Sequence, residues 1–274
     1  MCSSTYLQIT AGVKGVSIHF LKKVQRNGIL FVSLSSYIAL RGLSDLQSKS
    51  KPRAYGRRIN YGVLMKITKY PQSCLKIENE GRALLVDVGT LATAEYSVSD
   101  FGHFDAVLFT HRHIDHLDPD AIKPLAETGA TIYGNADVAQ FLADRYKIEV
   151  IDDGEELVVA DFRLKAFHME HCLMVDGSKA GVQNTGFLID GSLLLPGDSV
   201  EDIGIIAEIV ALPVFGPNIS LHDAFDLAKA TKATKLIPVH YDVAQMNPEL
   251  FVHLGGKSLD ADIVIIENGE STEV

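Results

Sequence analysis

Residues 107–121, VLFTHRHIDHLDPDA, crowd His111, His113, Asp115 and His116 into six positions directly after the apolar run DAVLF. Four such groups in one short loop are costly to bury unless something binds them. Imidazole nitrogen and carboxylate oxygen are ligands of Zn²⁺ and similar first-row ions, at about 2.0–2.2 Å. In an extended segment, residues two apart point the same way. His111 and His113 can therefore converge on one ion, while Asp115 and His116, beyond a turn, can address a second. One loop cannot complete two coordination spheres, so partners are required downstream, each at the end of an apolar run. Three residues meet that demand: His171 after FRLKAFHME, Asp198 after SLLLPG, and His240 after TKLIPV. A fold that satisfies all of them must bring several strand ends to one rim, the usual place for sites in layered α/β folds.

The rest of the chain fits that requirement. From Met65, the runs MKITKY, SCLKIEN, RALLVDVG and DAVLFT read as short strands separated by turns. Segments 118–128 and 135–146 have helical spacing, each opened by an Asp or Asn that can cap free N–H groups. A second set of strands follows: IEVID, EELVVA, FRLKAFHM, TGFLIDG, SLLLPGD and IVALPVF. Next come a helix, SLHDAFDLAKAT, whose Ser220 and Asp223 form a variant capping box, the strand KLIPVHY, a short helix PELFVHLG, and ADIVII. Two β-rich halves, each with helices, imply two sheets packed face to face with helices outside.

Residues 1–64 differ in character. They hold ten Lys/Arg against one acid, Asp45, which leaves 15 Lys/Arg against 34 Asp/Glu in residues 65–274. The expected organisation is a basic leader or linker at 1–64, poorly ordered or a misassigned start, before the layered α/β domain at 65–274. The acidic body repels polyanions, so nucleic acid is not expected as a partner. The longest apolar stretch, residues 28–40, is shorter than the roughly 20 residues a membrane span needs. It resembles a signal-peptide core but starts late and lacks a small-residue cleavage site. Three cysteines without framework spacing, at 2, 74 and 172, point to a reducing cytoplasm. Neither secretion nor a membrane is expected.

THRHIDH resembles the H-x-H-x-D-H signature of the metallo-β-lactamase superfamily. EHC, NTGFLIDGSLLLPGDS and LIPVHY resemble its later motifs in the expected order. The opening MKITKYPQSCLKIENEGRALLVDVG is similar to the small stand-alone metal-dependent hydrolase branch, akin to ascorbate-phosphate lactonase-like proteins. The resemblance spans about Met65 to Val274. It implies a four-layer αββα sandwich with the site at one edge of the two sheets. It also implies His111, His113 and His171 on a first metal, Asp115, His116 and His240 on a second, and Asp198 bridging both. Two Zn²⁺ ions are implied, with Mn²⁺ or Fe²⁺ as alternatives, since His/Asp sites accept several ions. Asp115 and Asp198 would also orient the attacking water, and so count as catalytic.

Some positions depart from related patterns. The branch often carries Gly-His ahead of Ser-Cys, where this chain has Gln72. The absence of a Gly after the motif argues against a glyoxalase-like or ribonuclease-Z-like assignment. His113 in place of a Glu argues against the diiron redox branch. The expected function is hydrolysis of a small ester, lactone or phosphodiester. The alternatives are a nucleic-acid processing member of the superfamily and a catalytically silent metal-binding scaffold. Among the neighbours, Asp87 is a candidate hydrogen-bond partner for a ligand histidine. His168, Cys172 and Tyr241 read more simply as a strand-end histidine, a small buried hydrophobe and a packing residue. His19, His103, His222 and His253 read as surface residues.

Overall fold

The computed structural model describes residues 6–13 and 16–23 as backbone, and residues 64–274 in full. The stretch at 28–40 and most of the basic segment lie outside the described residues. Within that segment, strands β1 (Tyr6–Val13) and β2 (Val16–Lys23) pair antiparallel from Val13↔Val16 to Tyr6↔Lys23. The sequence reading assigned no element here. Both runs are rich in β-branched and aromatic residues, which suit extended pairing.

The acidic body carries two seven-stranded sheets. The first is built from β3 (Lys66–Lys69), β4 (Leu75–Asn79), β5 (Arg82–Val86), β6 (Ala106–Phe109), β7 (Thr131–Gly134) and β8 (Glu149–Val150). The second takes β9 (Glu156–Val159), β10 (Phe162–His168), β11 (Thr185–Ile189), β12 (Leu193–Leu195), β13 (Ile209–Pro213), β14 (Lys235–Val239) and β15 (Asp262–Ile263). A last strand, β16 (Ser271–Glu273), crosses back to the first sheet and pairs antiparallel with β3, Ser271 opposite Thr68. Strand order is β16-β3-β4-β5-β6-β7-β8 in one sheet and β15-β14-β13-β12-β11-β10-β9 in the other.

Three apolar clusters define four layers. Ile67, Ile77, Leu84 and Leu108 of the first sheet meet Leu164, Phe187, Leu195 and Ile237 of the second in the central core. The outer face of the first sheet, with Leu85, Val107 and Phe109, is covered by α1 (Thr90–Glu95), α2 (Ile122–Glu127) and α3 (Ala136–Leu142). That of the second, with Leu194, Val210 and Leu236, packs on α4 (Leu221–Ala230) and α5 (Glu249–Leu254). The fold is the αββα sandwich that the sequence implied. Strands β6 and β13 are buried on both faces and read as unbroken apolar runs, whereas β10 alternates.

Two helix starts show which local signals operate. Asn135 caps α3, accepting from the Val138 N–H, and Ser220 with Asp223 closes a capping box on α4, both as expected. Asp118 does not cap α2. Its Oδ1 accepts from Asp120 N–H and its Oδ2 from the Thr93 hydroxyl, so α2 begins only at Ile122 without a side-chain cap.

Candidate metal centre

All seven sequence-selected side chains lie just past strand ends. His111, His113, Asp115 and His116 follow β6, while His171, Asp198 and His240 follow β10, β12 and β14. They gather as two groups, His111–His113–His171 and Asp115–His116–Asp198–His240, with ligand atoms within 4.8 Å of one another in each. Asp198 touches both. Its Oδ2 lies 3.5 Å from His171 Nε2 and 3.0 Å from His240 Nε2, and its Oδ1 lies 3.0 Å from His116 Nε2.

Local backbone makes this convergence possible. Gly89 admits the loop, since a Cβ there would fall 2.0 Å from the Asp115 carbonyl oxygen. Thr90 N–H donates to the Ile114 carbonyl and Asp118 N–H to that of Val88, pinning both ends of the loop. Gly197, at φ +60°, sets Asp198 against Asn184 in a space where a Cβ would lie 2.2 Å from the amide oxygen. Asn184 donates to the Met169 and Pro196 carbonyls and accepts from Asp198 N–H, so one buried amide ties the His171 and Asp198 loops together. Asn135 similarly donates to the Thr110 and Gln183 carbonyls.

Four of the five histidines are oriented from behind. Nδ1 of His116 meets Asp87 Oδ2 at 2.9 Å, that of His171 the Cys172 carbonyl at 2.7 Å, and that of His240 the Phe215 carbonyl at 2.6 Å. His111 Nδ1 lies 3.1 Å from the Thr110 hydroxyl, which itself donates to Asp87. An Nδ1–H committed to an oxygen leaves Nε2 as the free lone pair. The Nε2 atoms of His111, His116, His171 and His240, and Oδ1 of Asp198, are buried with no hydrogen-bond partner. Their mutual distances bring charges close without aligned hydrogen bonds. Buried polar atoms left in this way call for an explanation, and the donor set here suits a first-row metal ion.

The electrostatics differ between the groups. Burial and the neighbouring His116 push His111 well below the ordinary imidazole range, and burial with His171 lowers His113. Burial also opposes charge on His116, but Asp198 and Asp87 outweigh it and raise this imidazole well above its usual value. In the same way Asp198 and the Cys172 carbonyl overcome burial to raise His171 to about 10, and Asp198 with Asp115 raises His240 to about 9. Burial alone would raise the Asp198 carboxyl, but the His116 and His240 charges hold it well below the carboxylate range.

A profile described as a beta-lactamase superfamily domain matches residues 66–240. The chain belongs to the metallo-β-lactamase superfamily. Within it, this hydrolase is 30% identical over 243 residues to the "UPF0173 metal-dependent hydrolase" of Listeria monocytogenes serotype 4a, covering 77% of this chain and all of the relative. Its fold is shared with a metallo hydrolase from the archaeon Ignicoccus hospitalis (TM-score 0.64, 19% identity, 77% of this chain and 98% of that one). It is also shared with the metallo-beta-lactamase fold protein YhfI of Bacillus subtilis (TM-score 0.57, 20% identity, 78% and 100%).

The remaining sequence candidates separate cleanly in this metal-dependent hydrolase. Asp87 does hydrogen-bond a site histidine. His168 sits half-exposed beside Glu170, at 3.5 Å, away from both groups. Cys172 contributes its carbonyl to His171, and Tyr241 packs in the outer core with the Lys69 ammonium over its ring. His103 and His222 lie on the surface near Asp105 and Asp226, and His253 is largely exposed. The side chain of His19 lies outside the described residues. Sequence reasoning missed Asn184 and assigned no role to Gln72, whose amide donates to Asp115 Oδ2 at 3.0 Å. Both sit beside strand ends among other polar residues, Gln72 before Ser73 and Asn184 between Gln183 and Thr185, so nothing local marks them out.

Proposed function

We propose that this chain hydrolyses a small, neutral carboxylic ester or lactone with two first-row metal ions, zinc foremost, in the cytoplasm. The single observation that carries the proposal is the set of buried, unpartnered Nε2 and carboxylate atoms converging on Asp198. Bound there, such ions acidify a water towards neutral pH and stabilise developing negative charge. The chain's own residues do the rest. His111, His113 and His171 would hold one ion, Asp115, His116 and His240 the other, and Asp198 would span both. The backing oxygens of Asp87, Thr110, Cys172 and Phe215 keep the imidazoles of His116, His111, His171 and His240 in the tautomer that ligates. Asp115 and Asp198 would accept hydrogen bonds from the attacking water and so orient it.

Two features favour an ester or lactone over a phosphodiester. Arg112 is the only Lys or Arg within four residues of any of the seven side chains, and its guanidinium is committed to Asp137 and the Gly181 carbonyl. Apolar residues flank the ligands instead: Ile114, Leu173, Phe215 and Val243 are all exposed. An anionic substrate meets no free cation among these residues, and an apolar acyl group meets suitable surface. The acidic body argues against nucleic acid as substrate, and the free, buried Cys74 and Cys172 fit a reducing compartment. Among the described residues, no helix is long and apolar enough to cross a membrane. Elemental analysis of the purified protein, paired with a screen of aryl esters, lactones and phosphodiesters, tests the reading. Near two equivalents of metal with ester or lactone turnover supports it. Metal with phosphodiester turnover alone overturns the substrate class, and no metal uptake overturns the whole.

A further inference from the structure

The tight turn between β3 and β4 carries a residue with no assigned role. Gln72 is fully buried and adopts φ +67°, a left-handed conformation uncommon for a glutamine. Every polar atom it owns is used. Its N–H donates to Asp242 Oδ2 at 2.7 Å, and its carbonyl accepts from His240 N–H at 3.1 Å. Its Oε1 accepts from Val243 N–H at 3.2 Å, and its Nε2 donates to Asp115 Oδ2 at 3.0 Å. The amide orientation is fixed by chemistry, because a carboxylate only accepts and a backbone N–H only donates. Three of the four contacts run to residues 240–243 behind β14, and the fourth to the loop behind β6. One side chain thus links ligand loops from both sheets.

Behind Gln72 stands a second buried support. Lys69, fully inaccessible, donates to Asp242 Oδ2 at 3.0 Å, to Asn268 Oδ1 at 2.6 Å and to the Tyr70 carbonyl. Asn268 returns a hydrogen bond to Asp242 Oδ1 at 2.8 Å. Asp242 is therefore immobilised on both oxygens, and its Oδ2 is the acceptor that holds the Gln72 backbone. A neutral amide can orient Asp115 without cancelling its negative charge, which an ammonium in the same place would do.

We propose that Gln72, braced by Asp242 and Lys69, is a positioning residue that aims Asp115 and His240 together at one ion. It acts through those two residues and touches neither ion nor substrate. The proposal rests on the dinuclear reading above. The outer hydrogen-bond partners of a metal site commonly change affinity by about 10–100-fold when removed, and here the loss should fall on one ion only.

The test is titration of the metal-free, full-length protein with Co²⁺, followed by its visible absorption, for wild type, Gln72→Asn and Gln72→Met. Asparagine suits the left-handed turn and keeps the backbone contacts but withdraws the amide from Asp115. Methionine keeps the side-chain length and removes both amide contacts. The expected result in both variants is a first equivalent bound as in wild type and a second weakened about 10–100-fold, with an altered spectrum for that second ion alone. A thermal melt of the metal-free proteins serves as control for the turn. Both equivalents binding as in wild type would overturn the role of Gln72, whether or not the melt shifts, and equal weakening of the two ions would reduce Gln72 to a structural residue. A wild type that binds only one Co²⁺ would remove the dinuclear reading itself, and this inference with it.

Discussion

The two sheets supply the metal centre in opposite ways. The first delivers four side chains from one loop behind β6, at 111–116, while the second delivers one each from behind β10, β12 and β14. The two ligand groups cut across that division, since each mixes residues from both sheets. Neither group exists until the sheets are face to face. They also differ in charge. His111, His113 and His171 form a trio of imidazoles, two of them pushed below their usual range. In the other group, Asp198 with Asp87 raises His116, and Asp198 with Asp115 raises His240, above the usual imidazole range. The trio stands closer to a ready neutral site, and the mixed group must first give up protons.

Replacing Asp198, which belongs to one group and reaches the other, should have the largest effect. Asp198→Ala is expected to lower bound metal from near two equivalents towards zero, with turnover falling by at least about 10²–10³-fold, the range seen when a key electrostatic group is deleted. Elemental analysis checks this, and retention of two equivalents would show that Asp198 spans nothing. Next, His113→Ala and His240→Ala should each cost one equivalent and leave the other in place. If either variant lost both ions, the groups would be one cooperative site and the comparison would collapse.

Asp87→Asn is a subtler probe, because Asp87 supports His116 and, through Thr110, His111. Affinity for metal should fall about 10–100-fold, and competition with a chromogenic chelator would measure it. An unchanged affinity would mean that burial alone fixes the rings.

The smallest expected effect sharpens the contrast in charge. Ligation requires neutral imidazole, so at pH 7 the trio should release about one proton, from His171, and the mixed group about two, from His116 and His240. Calorimetry in buffers of different ionisation enthalpy would count them, and equal release for both ions would contradict the assignment. The sign for the metal-free protein follows from the same shifts. Folded pKa values of about 10 and about 9 for His171 and His240, above the ordinary 6.5, mean stabilisation that is complete below about pH 6.5. It is lost as pH rises through 9 to 10, so the metal-free melting temperature should fall across that range.

The contrast between the sheets also explains what could be read from the sequence. The loop at 111–116 is legible because its ligands are neighbours in the chain. His171, Asp198 and His240 were found only because each follows a strand-like run, alternating in β10 and apolar in β12 and β14. The layering followed from the same runs and their helices. Strand β16 was not legible: Ser271–Glu273 is short and half-exposed, and it is a strand only because β3 offers an open edge. The start of α2 was misplaced because Asp118 found Thr93 and its own turn before it could cap. Gln72 and Asn184 act by spanning loops far apart in the chain, and no local pattern encodes a span.

The pairing of β16 with β3 has a consequence in time. Residues 268–273 must be synthesised before Lys69 can find Asn268 and before the edge of the first sheet is closed. At about 5–20 residues per second, the 111–116 loop waits several seconds for His240, and longer for the brace behind Gln72. The seven side chains and the brace behind Gln72 can therefore come together only after both sheets have been synthesised.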